Sequence, residues 1–377
     1  MTSSEPILPS VPRTPRRWPA VLTGVVALLV VAVVVSSRIE INYYVLTPGV
    51  AQPVAPLVHV PSSLDHELHG QVLLTDVYVQ QVSLLDYLPD ELNSDAQVLS
   101  AQTLLGPYTP PSQLTEQGYI EMQQSQAAAR AAALTRLGYA VPHTNAGAML
   151  FAVAAGSPAS NVLKVGQVIT AVNGSPTPTA CALVTALYPD SPGTVVHLSV
   201  EQSVVSAEAQ LQAGPTVVKS VRLGRRPASD STTSSPCTGS RRPSRSYLGV
   251  VITTQVDYHY PVPVSISTSD IGGPSAGLAM TLGIIDKLGG GDITGGHRVA
   301  ATGTIDPAGQ VGDVGGVAEK TVAVERAGAT VFFVPPQEYR AAMSKDVPSL
   351  HVYAVTTLSQ ALSILKRLGG RIPPLAH

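Results

Sequence analysis

Ser269–Leu288 reads SDIGGPSAGLAMTLGIIDKL, a glycine-rich turn running into an apolar stretch. Two glycines and Pro274 mark the turn, and proline suits the first turn of a helix because no partner is lost with its missing N–H. The spacing predicts a helix from Pro274 or Ser275, which sets Ser275 at a helix N-terminus. Unpaired N–H groups and the positive end of the helix dipole favour developing negative charge there, as an acyl-transfer oxyanion requires. Serine at a helix start is also a common plain cap. Ser275 is therefore a candidate nucleophile only in company with a base.

The chain has six lysines to offer. Lys320 lies in GGVAEKTVAVERAG, Gly315–Gly328, where Val317, Lys320, Val324 and Ala327 fall at helical spacing on one apolar face. Surface lysines usually sit opposite such a stripe. One within it either snorkels to the edge or is desolvated, and desolvation lowers its pKa until the neutral amine serves as a base. AATGTIDPAGQVGDVGG, Ala300–Gly316, reads as strand, turn and strand between the two, able to return Lys320 to Ser275.

These residues resemble the proteolytic domain of the Lon family, whose members use a Ser-Lys dyad. Gly273-Pro-Ser-Ala-Gly277 is similar to the family's serine motif and Thr302-Gly-Thr-Ile305 to its threonine-glycine strand. Gly315–Lys320 with Ala323, Arg326 and Gly328, then Val331–Pro335, is similar to the lysine helix and the strand after it. The resemblance covers roughly the last third of the chain. It implies Ser275 as nucleophile and Lys320 as general base, with Thr302 supporting the lysine and Gly273 in the turn that holds the oxyanion. It implies no metal or cofactor, protein or peptide substrates, and a homo-hexameric ring. One departure is Gly272 where Lon proteins often carry Asp; Asp270 lies two residues further back. The dipeptide Gly-Lys does not occur, so no Walker A loop cradles a nucleotide and the expected activity is independent of ATP.

Three rivals compete. Gly273–Gly277 also fits the nucleophile elbow of α/β-hydrolases, with Asp306, Asp313 and His351 as partners, but too little sheet precedes the serine. A membrane-tethered adaptor with a degenerate protease domain leaves Ser275, Thr302 and Lys320 unexplained. A trypsin-like protease carrying a PDZ unit places the protease first, the reverse of the order here.

Upstream, Gly156–Gly174 reads GSPASNVLKVGQVITAVNG, with strands expected at Ala148–Ala154, Val168–Val172, Val195–Val200 and Val217–Val221 and a helix at Pro178–Leu187. This resembles a PDZ domain, with Gln167 where the family usually has Asp. The resemblance implies capture of an extended or C-terminal peptide at a sheet edge, with a carboxylate-binding loop near Ala146–Met149. A spacer that binds nothing is the alternative. Pro227–Ser246 is rich in Ser, Arg and Pro and reads as a linker or exposed loop. It holds Cys237, whose only intramolecular partner is Cys181; spacing alone leaves both a disulfide and two free thiols open.

Near the start, Ala20–Val35 reads AVLTGVVALLVVAVVV and, with its margins, reaches the ~20 residues that cross a hydrocarbon core. Arg13, Arg16 and Arg17 precede it and Arg38 follows, so the positive-inside rule places the N-terminus in the cytoplasm. A cleaved signal peptide ending at Val35-Ser36-Ser37 is the competing reading. The chain as a whole is lightly charged, 13% against the usual quarter, with 23 basic and 25 acidic residues and a net charge of -2. That balance gives no electrostatic footprint for nucleic acid. Two cysteines exclude a disulfide scaffold.

The expected architecture is a multidomain α+β protein of the cell membrane. It divides into a cytoplasmic tail (1–17), a transmembrane helix (18–37), a β-rich module (38–115), a connecting helix (116–140), a PDZ-like domain (141–224), a linker (225–246) and a Lon-type proteolytic domain (247–370). This plan resembles the membrane-anchored, ATP-independent Lon-like proteases.

Overall fold

The computed structural model of the chain describes residues 18–106, 109–205, 211–227, 237, 245–268, 271–345 and 347–374. The expected cytoplasmic tail, with Arg13, Arg16 and Arg17, lies outside them, as does Asp270. The strands that build the sheets begin with β1 (Glu40–Pro53), β2 (Gln71–Ser83) and β3 (Gln97–Ser100). Next come β4 (His143–Val153), β5 (Val168–Val172), β6 (Val195–Val205), β7 (Leu211–Arg222) and β8 (Val250–Tyr258). The last are β9 (Arg298–Ala301), β10 (Thr304–Ile305), β11 (Val311–Gly312), β12 (Val331–Val334) and β13 (His351–Ala354). The helices that matter below are α1 (Trp18–Ser36), α2 (Tyr87–Glu91), α3 (Leu114–Arg136), α4 (Ala180–Leu187), α5 (Gly277–Leu288), α6 (Val317–Arg326) and α7 (Leu358–Arg367).

The larger sheet has the order β13-β12-β9-β2-β1-β3. β2 runs parallel to β9, with Gln71 beside Arg298 and Leu74 beside Ala301, and antiparallel to β1. The segment expected as a separate β-rich module thus completes the sheet of the C-terminal third. Side chains alternate across this sheet, and both faces are covered. Leu74, Ala301 and Phe333 pack with α3, α5 and α7 on one face, while Leu73, Ala300, Phe332 and Val334 pack with α6 on the other. Phe332, Phe333, Leu73 and Leu74 are among the largest fully buried side chains, each contributing about 1.5–3 kcal/mol by leaving water.

The Ala-rich helix is α3, and it does more than connect. Ala129, Ala132, Ala133 and Leu134 join the same core as α5, since small side chains let two helices approach closely. Arg130 lies across the Tyr260 ring, 4.3 Å from its centroid, and donates to the Val264 carbonyl. Gly138, with φ 88°, closes the helix in the left-handed conformation that glycine favours.

The smaller sheet has the order β8-β4-β5-β6-β7, with all pairings antiparallel. Leu150, Ile169 and Leu198 form its core with Leu183 of α4. Two expectations change here. β8, which lies within the span expected as the proteolytic domain (247–370), is paired along its length with β4 of this sheet. The expected carboxylate-binding loop is not a loop: Ala148 and Met149 lie inside β4, paired with Thr254 and Thr253 on one side and with Ile169 and Val168 on the other. Their backbone groups are engaged by neighbouring strands. Gln167, in place of the usual acid, accepts from the Lys164 N–H and from Lys219 Nζ.

The Ser/Arg/Pro-rich stretch leaves and re-enters this same unit, because Gly224 pairs with Tyr247 and Arg225 with Ser246. Residues 228–236 and 238–244 lie outside the described residues. Cys181 and Cys237 form a disulfide with Cα atoms 4.9 Å apart and a sequence separation of 56. Closing a loop of that length in the unfolded chain is worth roughly 2–4 kcal/mol. Replacing both cysteines by serine should lower the stability of this unit by that amount in urea denaturation. Dithiothreitol should destabilise the parent to the same extent and leave the double variant unchanged.

α1 is a 19-residue helix whose side chains from Val21 to Val35 are all exposed. The side chains of Pro19 and Ala20 lie outside the described residues, and among the described residues no helix is long and apolar enough to cross a membrane.

Candidate active site

Gly273, with φ 85°, turns the chain ahead of the serine, and its N–H donates to the Gly118 carbonyl of α3 at 2.7 Å. The Pro274 carbonyl accepts from Ser125 Oγ, also on α3, at 2.9 Å. α5 begins only at Gly277, with Ala276 as its N-cap. Ser275 therefore sits in the turn just before the helix, not at its first residue. The cause is its carbonyl, which accepts from the Gly303 N–H at 2.9 Å instead of continuing the helical ladder. The Gly303 carbonyl in turn accepts from the Leu278 N–H at 3.1 Å. Gly303 has φ 140°, and a Cβ there would lie 2.7 Å from Val311, so glycine alone allows this clamp.

Thr302 follows β9, fully buried, on the α6 side of the sheet with Ala300. Its Oγ1 accepts from Lys320 Nζ at 3.2 Å and donates to the Ser275 carbonyl at 3.3 Å. Lysine, threonine and serine turn are thus linked through two hydrogen bonds. Lys320 is 2% exposed, on the face of α6 it shares with Val317 and Val324. Gly316, left-handed at the N-cap of α6, packs so close to Val77 of β2 that a Cβ would come within 3.0 Å. That contact sets the depth of the helix and of the lysine.

Burial pushes the Lys320 ammonium down from its usual 10.5 to about 8, while Asp76, Glu338 and Glu319 pull it back up. Glu319 is also buried, which raises its own carboxyl. Asp76 is the residue that sequence reasoning missed. It lies on β2 and accepts from the Val50 N–H at 2.7 Å, where β1 shifts register between Pro48 and Ala51. The available signal was its place in VLLTDVYV, Val72–Val79, an apolar run fit for burial on both faces in which an acid stands out. Because the Asp76 carboxylate favours the charged lysine, Asp76→Asn should lower the Lys320 pKa further. The acid limb of a kcat/KM profile should then move to lower pH; an unmoved limb would mean that the two groups are not coupled.

The expected oxyanion donors change. The Gly273 N–H is committed to Gly118, while among the described residues the N–H groups of Ser275 and Ala276 have no backbone partner. Neither Asp306 nor His351 is seen to bond Ser275 among the described residues. Asp306 accepts from the Gln310 N–H within its own turn, and His351 is exposed on the edge strand β13. A cleft of about 850 Å³ opens between α3, β8 and the turn after β10, bounded by Gln124, Met149, Val256, Tyr258 and Asp306, and it reaches Pro274 beside the serine.

The comparisons with known proteins bear on the part of the chain that holds these residues. Residues 240–365 match the Lon protease (S16) C-terminal proteolytic domain. Curated relatives include the Lon protease of Malacoplasma penetrans (strain HF-2), 40% identical over 94 residues, which are 25% of this chain and 11% of that one. Another is Lon protease 1 of Sorangium cellulosum (strain So ce56), 34% identical over 117 residues, 30% of this chain and 14% of that one. The chain thus spans only a small part of the length of the relatives it matches. These matches support a serine-type peptidase. The Lon-type match contains β9–β13, α5 and α6, whereas β1–β3 and α3, which finish its sheet and brace its serine turn, lie upstream of it.

Among solved structures, the PDZ domain of the SdrC-like protein of Listeria monocytogenes aligns with 28% of this chain and 87% of its own, at 13% identity and a TM-score of 0.21. The corresponding domain from Listeria innocua aligns with 30% of this chain and 98% of its own, at 15% identity and a TM-score of 0.20. A likeness of that degree says nothing about a ligand.

Proposed function

We propose that the chain is a membrane-anchored, ATP-independent serine endopeptidase in which Ser275 is the nucleophile and Lys320 the general base. The observation that carries this reading is the lysine: a buried amine with a pKa near 8, one threonine hydroxyl away from the serine turn. Neutral Nζ takes the proton from Ser275 Oγ as the oxygen bonds to the scissile carbonyl carbon. The resulting oxyanion meets the N–H groups of Ser275 and Ala276. The ammonium gives its proton to the amide nitrogen, the C–N bond breaks, and the amine fragment leaves. Water, deprotonated by the same amine, then cleaves the acyl ester and restores Ser275.

Substrates on this reading are unfolded or exposed protein segments, which arrive through the cleft. The outer edge of β8 borders it, and among the described residues β8 pairs with β4 alone, an edge that suits an added strand. The PDZ-like unit would recognise or gate substrates there. The anchor on this reading is the uncharged apolar run Ala20–Val35 within α1, which Arg13, Arg16 and Arg17 precede; the catalytic unit then lies outside the cytoplasm. A homo-hexamer is what the Lon-type resemblance implies. The test is cleavage of casein by the full chain without ATP, which Ser275→Ala should abolish. Equal cleavage by parent and variant would discard the dyad.

A further inference from the structure

A second surface, remote in sequence from the dyad, carries an apolar face of its own. Leu84, Leu85, Leu88 and Leu92 surround α2 and are all exposed, Leu88 at 63% and Leu92 at 76%. Leu88 lies in this short helix, with Leu84 and Leu85 in the turn before it and Leu92 just after it, and Asp86, Asp90 and Glu91 fall between them in sequence. Tyr43 and Tyr87 brace the segment edge to face, with ring centroids 5.2 Å apart. Four exposed leucines in nine residues are more than scattered surface residues account for.

Their position in the fold says what covers them. α1 ends at Ser36, and the Leu84 N–H donates to the carbonyl of Ile39, itself exposed, at 2.8 Å. Three residues of chain reach at most ~10 Å, so the leucines start within that distance of the end of α1. An apolar face at the bilayer boundary sinks ~5–10 Å into the headgroup region. The geometry points to this face as a lipid-docking surface, in which Leu84, Leu85, Leu88 and Leu92 seat the outer part of the protein on the same membrane that α1 enters. The three acids between the leucines fit a surface that binds by apolar insertion and draws nothing from anionic lipid. Just beyond Leu92, Asp95 pairs with Arg326 at the end of α6 at 3.0 Å.

This inference rests on the anchor reading, and the experiment separates the two. The full chain carrying Trp18→Phe and Leu88→Trp, so that one tryptophan remains, is reconstituted into phosphatidylcholine vesicles with and without bromine at shallow acyl positions. A parallel Leu92→Trp form reads the same face. Expected are vesicle flotation, blue-shifted emission, and loss of that emission in the brominated vesicles. Flotation with emission indifferent to bromine overturns the docking surface and leaves the anchor standing. A chain that does not float removes both. Shielding from aqueous iodide that grows with the protein-to-lipid ratio, without bromine quenching, assigns the leucines to a second copy of the chain and overturns the lipid assignment.

Discussion

Lys320→Met lowers kcat/KM on unfolded casein by about 10²- to 10⁴-fold, the range expected for loss of a positioned general base. Methionine keeps the length and apolar stem of lysine, so the loss reports the amine and not a collapsed helix. Ser275→Ala should fall at least as far, and the two together little further, because residues that act as one unit are not additive. The parent should show kcat/KM rising with pH through an apparent value near 8, since only the neutral amine accepts the serine proton and the ammonium is the form present below that value. A limb near 10.5, the ordinary lysine value, would mean that the working base is not desolvated. Retained activity in Lys320→Met with loss in Ser275→Ala would favour a different base for the same serine.

What the sequence made legible follows from distance along the chain. Ser275, Thr302 and Lys320 lie within a span of motifs whose turns and periodicity are local, and apolar spacing alone predicted the buried face of the lysine. Thr302 as the lysine's support came only from the resemblance to the Lon family; the structure shows the contact as a hydrogen bond from Lys320 Nζ to Thr302 Oγ1. Pairing was not legible. Gln71 lies beside Arg298 and Val153 beside Val250, and a run of alternating side chains tells which face is apolar but not which strand is its neighbour. Hence β1–β3 read as a separate module and β8 as part of the wrong sheet. The start of α5 was misplaced because nothing near Ser275 in sequence announces that the Gly303 N–H takes its carbonyl. Asp76 was missed for the same reason. The amine whose charge it favours lies on a helix far along the chain, and only the fold brings its field to bear there.

The same lysine should weaken the fold it serves. An amine whose pKa drops from 10.5 in the unfolded chain to about 8 in the folded one loses its proton more readily when folded. Between those values the unfolded state binds more protons, so stability rises with pH across that window; below about pH 8 the full penalty is present. Its size is about 3 kcal/mol on the linkage scale. Lys320→Met removes the charge and forfeits one buried hydrogen bond, worth about 1 kcal/mol, while Thr302 keeps its bond to the Ser275 carbonyl. The variant should therefore be more stable than the parent at pH 7, by about 1–3 kcal/mol in urea denaturation, and the gain should vanish by pH 10.5. A variant less stable than the parent at both pH values would show that Asp76, Glu338 and Glu319 more than offset the desolvation, and a lysine so compensated would not be held as a neutral base. Activity lost and stability gained in one substitution is the signature that separates a catalytic lysine from a structural one.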